Sequence, residues 1–190
     1  MSVEYAAEPI RTDRLLLRPF EPDDLDDVFA IYSRPDVVRY LYEGPRSREQ
    51  TAALLERKMA GRTLSADGDT VSLAVELVGS GAMVGDCMVR LLSAAHGQGE
   101  IGFVIHPDHQ GRGYATEAGR ALLRIAFGIL GTHRVIGRLE ARNAASARVL
   151  EKLGMRREAH LIENEWVKQE WQSELVYAVL DREWRQLTDA

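Results

Sequence analysis

The sequence predicts an α/β (α+β) fold, a single domain on a mixed, mostly antiparallel sheet of about seven strands with helices on both faces. Three observations predict it. From Thr70 to Ile105 three β-rich apolar runs follow one another through short turns, the pattern of an antiparallel meander. The run Glu100 to Ile105 enters a loop with two glycines that opens directly into a long apolar-periodic helix, and another strand follows. Strand, helix and strand in that order imply a parallel pair joined by a right-handed crossover. Capped helical segments also stand on both sides of the meander.

The chain has 190 residues, enough for one domain to bury a core without staples. A formal net charge of -5 and a pI near 5.6 argue against broad binding to nucleic acid or an anionic membrane, which needs a basic face. Cys87 is the single cysteine, so no intrachain disulfide can form and a reducing compartment fits best. The N-terminus lacks a basic-then-apolar signal pattern, and Arg120 and Arg124 interrupt the apolar helix after Gly113. A cytoplasmic protein is expected.

Residues 1–10 read as a loose lead-in. Arg14 to Phe20 is a short apolar run stopped by Pro19 and Pro22, a first strand. Asp23 and Asp24 offer N-caps for a helix with Leu25, Val28, Phe29 and Tyr32 at helical spacing, and Pro35 ends it. Ser47 and Gln50 stand in the relation of a capping box, with Gly61 at the far end of that second helix. Between the two helices, residues 37–46 read as an aromatic loop. The strand Val71 to Leu77, the turn Gly79-Ser80-Gly81, the strand Ala82 to Leu92 and a flexible stretch from Ser93 to Gly99 precede the strand Glu100 to Ile105. After the central helix Gly131 is a stop, and His133 to Glu140 reads as a strand. Asn143 caps a short helix from about Ala144 to Leu153, closed by Gly154. Met155 to Ile162 and Glu174 to Leu180 complete the sheet. No internal repeat or long linker suggests a second domain.

The chemistry concentrates in Gln110-Gly111-Arg112-Gly113-Tyr114-Ala115. Glycines let the chain pass close to a phosphate, and the unpaired amides of a helix's first turn point at it with the dipole behind them. A dinucleotide loop is a near miss, because Thr116 stands where the third glycine belongs and five residues separate strand from first glycine. A P-loop is excluded, since no lysine follows the second glycine.

Taken with Gln110, the loop has the form Gln-x-x-Gly-x-Ala. With the opening RTDRLLLRPFEPDD, the strand EIGFVIHP, the helix that follows the loop, the segment ARNAASARVLEKLGM and the closing SELVYAVLDREW, it resembles the GNAT superfamily of N-acyltransferases. The pattern is similar in particular to the branch of ribosomal-protein N-terminal acetyltransferases. What the resemblance implies is acetyl-CoA as co-substrate and direct attack of an amine on its thioester, with no covalent enzyme intermediate.

The resemblance assigns the pyrophosphate cradle to Gln110, Gly111, Arg112, Gly113, Tyr114 and Ala115, with Thr116 completing the first helical turn. It also implies that the main chain of Phe103, Val104 and Ile105 pairs with the pantetheine arm and offers an amide to the thioester oxygen. Asn143 is an N-cap by position, and the matching asparagine of the family contacts the cofactor arm. Seven residues beyond it, where many members carry a tyrosine that protonates the departing thiolate, this chain has Leu150. Ser146 matches a serine used instead in the ribosomal-protein branch, which makes it the expected thiolate donor; a capping or surface hydroxyl is the other reading. Glu100 shares a face with Gly102 and Val104 by alternation and is the expected general base. An α-amine of pKa about 7.7–8.0 is neutral at pH 7 in roughly a tenth or more of molecules, a lysine of pKa about 10.4 in only a few parts in ten thousand. An enzyme acting on α-amines can therefore manage with a water relay.

His96, His106, His109, His133 and His160 show no metal-ligand spacing, and no metal is expected. The acceptor wall is expected from residues 37–46 and from a turn at 163–171. Tyr40, Tyr42, Trp166 and Trp171 would line it and Glu163, Glu165 and Glu170 would attract a cation, unless the tryptophans merely cover the sheet edge. The leading acceptor is a protein or peptide N-terminal α-amine. A small amine (polyamine, amino sugar or amino acid) and a non-catalytic acyl-CoA-binding module are the alternatives. Monomer and homodimer are both open.

Overall fold

Alternation along the meander puts Val71, Leu73 and Val75, and then Cys87 and Val89, inside the core with no exposed surface, and Val84 joins them past an irregularity in the strand register. In the computed structural model, which describes residues 4–188, these positions belong to the middle of one large sheet. The strands are β1 (Tyr5–Ala6), β2 (Ile10–Arg11), β3 (Leu15–Pro19), β4 (Thr63–Leu64), β5 (Thr70–Leu77), β6 (Met83–Ser93), β7 (Gln98–Ile105), β8 (Arg134–Glu140), β9 (Arg156–Val167) and β10 (Glu170–Leu180). The helices are α1 (Leu25–Tyr32), α2 (Pro35–Val38), α3 (Arg48–Ala60), α4 (Tyr114–Arg124), α5 (Ala144–Lys152) and α6 (Asp181–Thr188). Eight strands form one sheet in the order β2-β3-β5-β6-β7-β8-β10-β9, and β1 pairs with β4 apart from it. Neighbours are antiparallel except β7 and β8, which α4 connects as a parallel pair.

One face of the sheet packs on α4, α5 and α6 through a core that includes Leu122, Ile125, Leu150, Leu153 and Trp184. The other packs on α1 to α3 through Phe20, Val28, Ile31, Tyr32 and Leu55. Helices on both faces and a mixed sheet match the expected fold. Among the described residues no helix is long and apolar enough to cross a membrane.

Four local expectations are corrected. The lead-in is not loose where it is described: Tyr5 is 6% exposed within the main core and pairs with Leu64, while residues 1–3 lie outside the described residues. Asp24 makes no capping bond to α1, because its carboxylate takes the Arg18 guanidinium at 2.7 and 2.9 Å. Pro35 does not simply end α1, which stops at Tyr32; it starts the short α2, where its missing N–H costs nothing. Residues 163–171 are not a turn but the end of a long hairpin whose loop is only Lys168 and Gln169, both at positive φ (51° and 65°). That is the backbone of a tight primed turn, built here without the glycine or asparagine that usually signals it. The central helix also widens after Arg124, where Leu130 N–H donates to the Ile125 carbonyl at 2.9 Å. The caps expected from sequence form: Ser47 and Gln50 make the capping box, with Ser47 Oγ accepting from Gln50 N at 3.2 Å, and Asn143 caps its helix, with Oδ1 accepting from Ser146 N at 3.1 Å.

Candidate active site

The parallel pairing of β7 with β8 covers Gln98–Arg134, Gly99–Val135 and Glu100–Ile136 and then stops. Both strands continue, to Ile105 and Glu140, but diverge into a fork. Leu150 of α5 sits at this fork: a Cβ added to Gly137, one residue past the last pair, would lie 2.9 Å from both Leu150 Cδ atoms. Helix α5 is therefore packed tightly on β8 where the strands part. The main-chain groups of Ile101 to Ile105 that face β8 have no strand partner there, which leaves a ladder edge for an extended chain.

Two cavities meet at the fork and share Tyr40, Leu41, Phe103, Val104, Asn143 and Ser146. Their volumes, about 460 and 320 Å³, lie in the range of small-molecule sites. The larger is walled by Ile105, His109, Gln110, Gly111, Gly113, Tyr114, Ala115 and Thr116, with Arg148 and Lys152 of α5 opposite. Gly111 and Gly113 have φ of 75° and 84°, the left-handed region that suits glycine. A side chain on Gly111 would meet nothing within 4 Å, so the loop borders open space. The amides of residues 111–116 donate to no acceptor among the described residues, as expected of a helix N-terminus without a side-chain cap. Unpaired amides with two basic side chains opposite suit a phosphate group.

The loop is held from both ends. Gln110 Nε2 donates to the Ile105 carbonyl at 2.9 Å, tying the loop to the end of β7. Arg14 Nη1 donates to the Arg112 carbonyl at 3.0 Å and pairs with Glu117 at 2.7 Å, while Thr12 Oγ1 donates to Glu117 Oε1 at 2.6 Å. The Arg14 guanidinium also lies 4.9 Å from the centre of the Tyr114 ring. Burial raises the Glu117 carboxyl, but its bonds from Thr12 and Arg14 outweigh that and hold it below the usual carboxylate range. Arg112 is turned away: its guanidinium donates to the Asp108 carbonyl at 3.1 Å, and it is not part of the cavity wall.

The smaller cavity lies on the α1–α3 side of the sheet and is acidic. Asp86, Glu100, Glu140, Glu165 and Glu174 line it, against Lys58 and Arg138. Glu100 stands at the fork with Arg138 Nε 3.6 Å away. Desolvation of its hydroxyl end and the neighbouring Glu165 carboxylate raise the Tyr42 phenol to about 12, although the residue as a whole is 64% exposed. Tyr40 and Tyr42 join this wall as expected, whereas Trp166 and Trp171 meet edge to face with ring centres 5.4 Å apart, 60% and 58% exposed, outside it. Glu170 is engaged by Arg142, and Glu163 lies outside the wall. Lys168 Nζ donates to the Val38 carbonyl at 2.6 Å, so the hairpin tip is bound to the segment that roofs the cleft.

Sequence reasoning missed the clamp of Thr12, Arg14 and Glu117, the basic pair on α5, and the polar floor of Tyr32, Lys58 and Asp86. None carried a local signal, because each group is assembled across the fold. Ser146 lines both cavities, and Leu150 is 2% exposed against Gly137, so no hydroxyl comes from that position. Among the described residues no group of three or more His, Cys, Asp or Glu side chains is arranged to hold a metal.

The acetyltransferase (GNAT) domain family matches residues 14–156. An uncharacterized N-acetyltransferase of Bacillus subtilis, YnaD, is 33% identical over 92% of this chain and 98% of its own length. The crystal structure of a GNAT-family acetyltransferase from Bacillus anthracis superposes with a TM-score of 0.83 at 32% identity, covering 92% of this chain and 99% of that one. The fold is also that of spermidine N-acetyltransferase from Vibrio cholerae, solved with CoA and spermine, at a TM-score of 0.77 and 22% identity over 91% and 99% of the two chains. The chain belongs to the GNAT family and is an acyl-CoA-dependent N-acetyltransferase with acetyl-CoA as co-substrate.

Proposed function

We propose that the protein acetylates a primary amine that arrives as a cation, with a protein or peptide N-terminal α-amine as the acceptor. The observation that carries this is the fork itself, which joins an anion cradle on one side to a cavity with five carboxylates and two basic groups on the other. When bound, acetyl-CoA supplies an activated acetyl group. The amides and glycines of 110–116 hold its pyrophosphate, and the unpaired edge of Phe103 to Ile105 takes the pantetheine arm and offers a donor to the thioester oxygen. Asn143 keeps α5 capped while its amide faces the arm. Ser146 gives its hydroxyl proton to the departing thiolate, since Leu150 has none to give. Glu100, the base expected from sequence, has Arg138 beside it and draws the ammonium to the fork. The single buried Cys87 supports a reducing, cytoplasmic setting.

A small polyamine is the second reading. It is favoured by the surplus of carboxylates in the acceptor cavity and by the fold shared with a spermidine acetyltransferase. Thiol release from acetyl-CoA with N-terminal peptides, spermidine, amino sugars and amino acids separates them. A peptide preferred tenfold or more in kcat/KM supports the first reading, and spermidine preferred by that margin replaces it with the second.

A further inference from the structure

Three of the five carboxylates facing the acceptor cavity have a basic partner, and a fourth lies beside a phenol. Asp86 accepts from Tyr32 Oη at 2.7 Å and from Lys58 Nζ at 2.9 Å. Glu140 accepts from Arg142 Nε at 2.8 Å, Glu100 lies 3.6 Å from Arg138 Nε, and Glu165 has the Tyr42 phenol beside it. Glu174 is the fifth. It is 5% exposed and lines the cavity, yet among the described residues it accepts no hydrogen bond and forms no ion pair within 4.0 Å. Among the described residues the buried polar side-chain atoms left without a partner are Tyr5 Oη and His109 Nδ1, so the oxygens of Glu174 open onto the cavity and are free to accept from a ligand there.

The strand register says where this group points. Glu174 is directly opposite Glu140 of β8 and Leu161 of β9, so it projects from the same sheet face as Glu140. Arg138, two residues earlier on β8, shares that face, as does Glu100 beside Ile136. Glu174 thus overlooks the fork from the last strand.

We propose that Glu174 is the catalytic base, the group that takes the proton from the acceptor's ammonium; this rests on the amine-acetylation reading above. The carboxylate accepts one N–H proton, leaving a neutral amine and a carboxylic acid that later returns its proton to solvent. The amine nitrogen bonds to the thioester carbon as the carbon–sulfur bond breaks. The second N–H proton passes through the Ser146 hydroxyl to the CoA thiolate, so amide, free thiol and one solvent proton balance the reaction.

The surroundings give Glu174 the basicity for this task. Burial raises its carboxyl above the ordinary range, Arg138 opposes that, and the charges of Glu165 and Glu100 add to it. Glu140 stands directly opposite on β8, already paired with Arg142, and Asp86 and Lys58 neutralise each other on the cavity floor. A base is most effective when its affinity for the proton approaches that of the operating pH.

The test compares wild type, Glu174→Gln and Glu100→Gln with saturating acetyl-CoA from pH 6 to 9. Glu174→Gln should lower kcat/KM for the amine by about 10²-fold or more and leave the KM for acetyl-CoA within twofold. Its residual rate should climb about tenfold per pH unit below the amine's pKa and level off above it, because only amine already neutral in solution then reacts. Glu100→Gln should lose less than tenfold. Glu174→Gln should also melt no lower than wild type at pH 7, because among the described residues no protein group donates to its carboxylate. A melting point lower by several degrees would reveal a protein donor and overturn the assignment, as would retention of half the wild-type kcat/KM. If wild type releases thiol and Glu174→Gln matches it, Glu174 alone is overturned. If wild type releases none with any amine, the acetylation reading falls with it.

Discussion

Replacing Gly85 by alanine probes how the ladder edge at the fork is held. Gly85 lies opposite Ile105 in the β6–β7 pair, and an added Cβ would come 2.2 Å from the Val104 carbonyl oxygen and 3.0 Å from Ile105 Cα. Ile105 Cδ1, at 2.9 Å, can swing aside, but the other two neighbours are main chain and cannot. An ordinary carbon–oxygen contact is about 3.3 Å, which means the end of β7 must move by about 1 Å. Overpacking of this kind destabilises by about 1–3 kcal/mol, or about 2–12 °C of melting temperature for a chain of this size. The shift falls on Val104 and Ile105, the segment assigned to the pantetheine arm. A misplacement of about 1 Å there is expected to lower kcat/KM by about 10²-fold. Gly44→Ala is the control, since its Cβ would meet nothing within 4 Å. The assays are thermal unfolding by circular dichroism and thiol release. A Gly85→Ala protein that melts within about 1 °C of wild type and keeps kcat/KM within about twofold would refute both the clash and the placement of the arm.

Three further outcomes are expected. Lys58→Met leaves Asp86, whose side chain is 5% exposed, without its cation; the loss is about 3–5 kcal/mol, read as a fall of about 6–20 °C, and a smaller fall than about 3 °C contradicts it. Glu117 has its folded-state pKa held down, so its clamp stabilises above the ordinary glutamate pKa of about 4.3 and that contribution disappears as pH falls through the lowered value. Glu117→Gln should therefore melt lower at pH 7, bind acetyl-CoA more weakly by calorimetry, and differ less from wild type in acid; an equal difference at all pH values rejects the linkage. Ser146→Ala should lower kcat by about 10²-fold at saturating acetyl-CoA, and an undiminished kcat would show that the thiolate takes its proton from elsewhere.

The parts of the site that are continuous in sequence were legible: a β-rich run, two glycines and an amphipathic helix announce a strand, an anion loop and a dipole. Caps were legible for the same reason, since Ser47 with Gln50 and Asn143 with Ser146 act over one turn. Asp24 shows the limit, because a good cap residue turns to Arg18 when a guanidinium from a neighbouring strand competes. A turn was legible between the last two strands, but its two-residue loop of Lys168 and Gln169 and the length of β9 and β10 around it were not, because these residues rarely mark positive φ. Clamp residues such as Thr12 and Glu117, 105 positions apart, give no local pattern at all. Alternation could have put Glu174 on the cavity face, yet only the packed fold shows that its neighbours' donors are committed elsewhere.

Direct transfer across the fork is tested most plainly by mixing the protein with radiolabelled acetyl-CoA, first alone and then with the preferred amine. The expected result is no free thiol and no labelled protein before the amine, then one thiol released for each amine acetylated. One equivalent of thiol released before the amine is added, with label fixed to the protein, would contradict it.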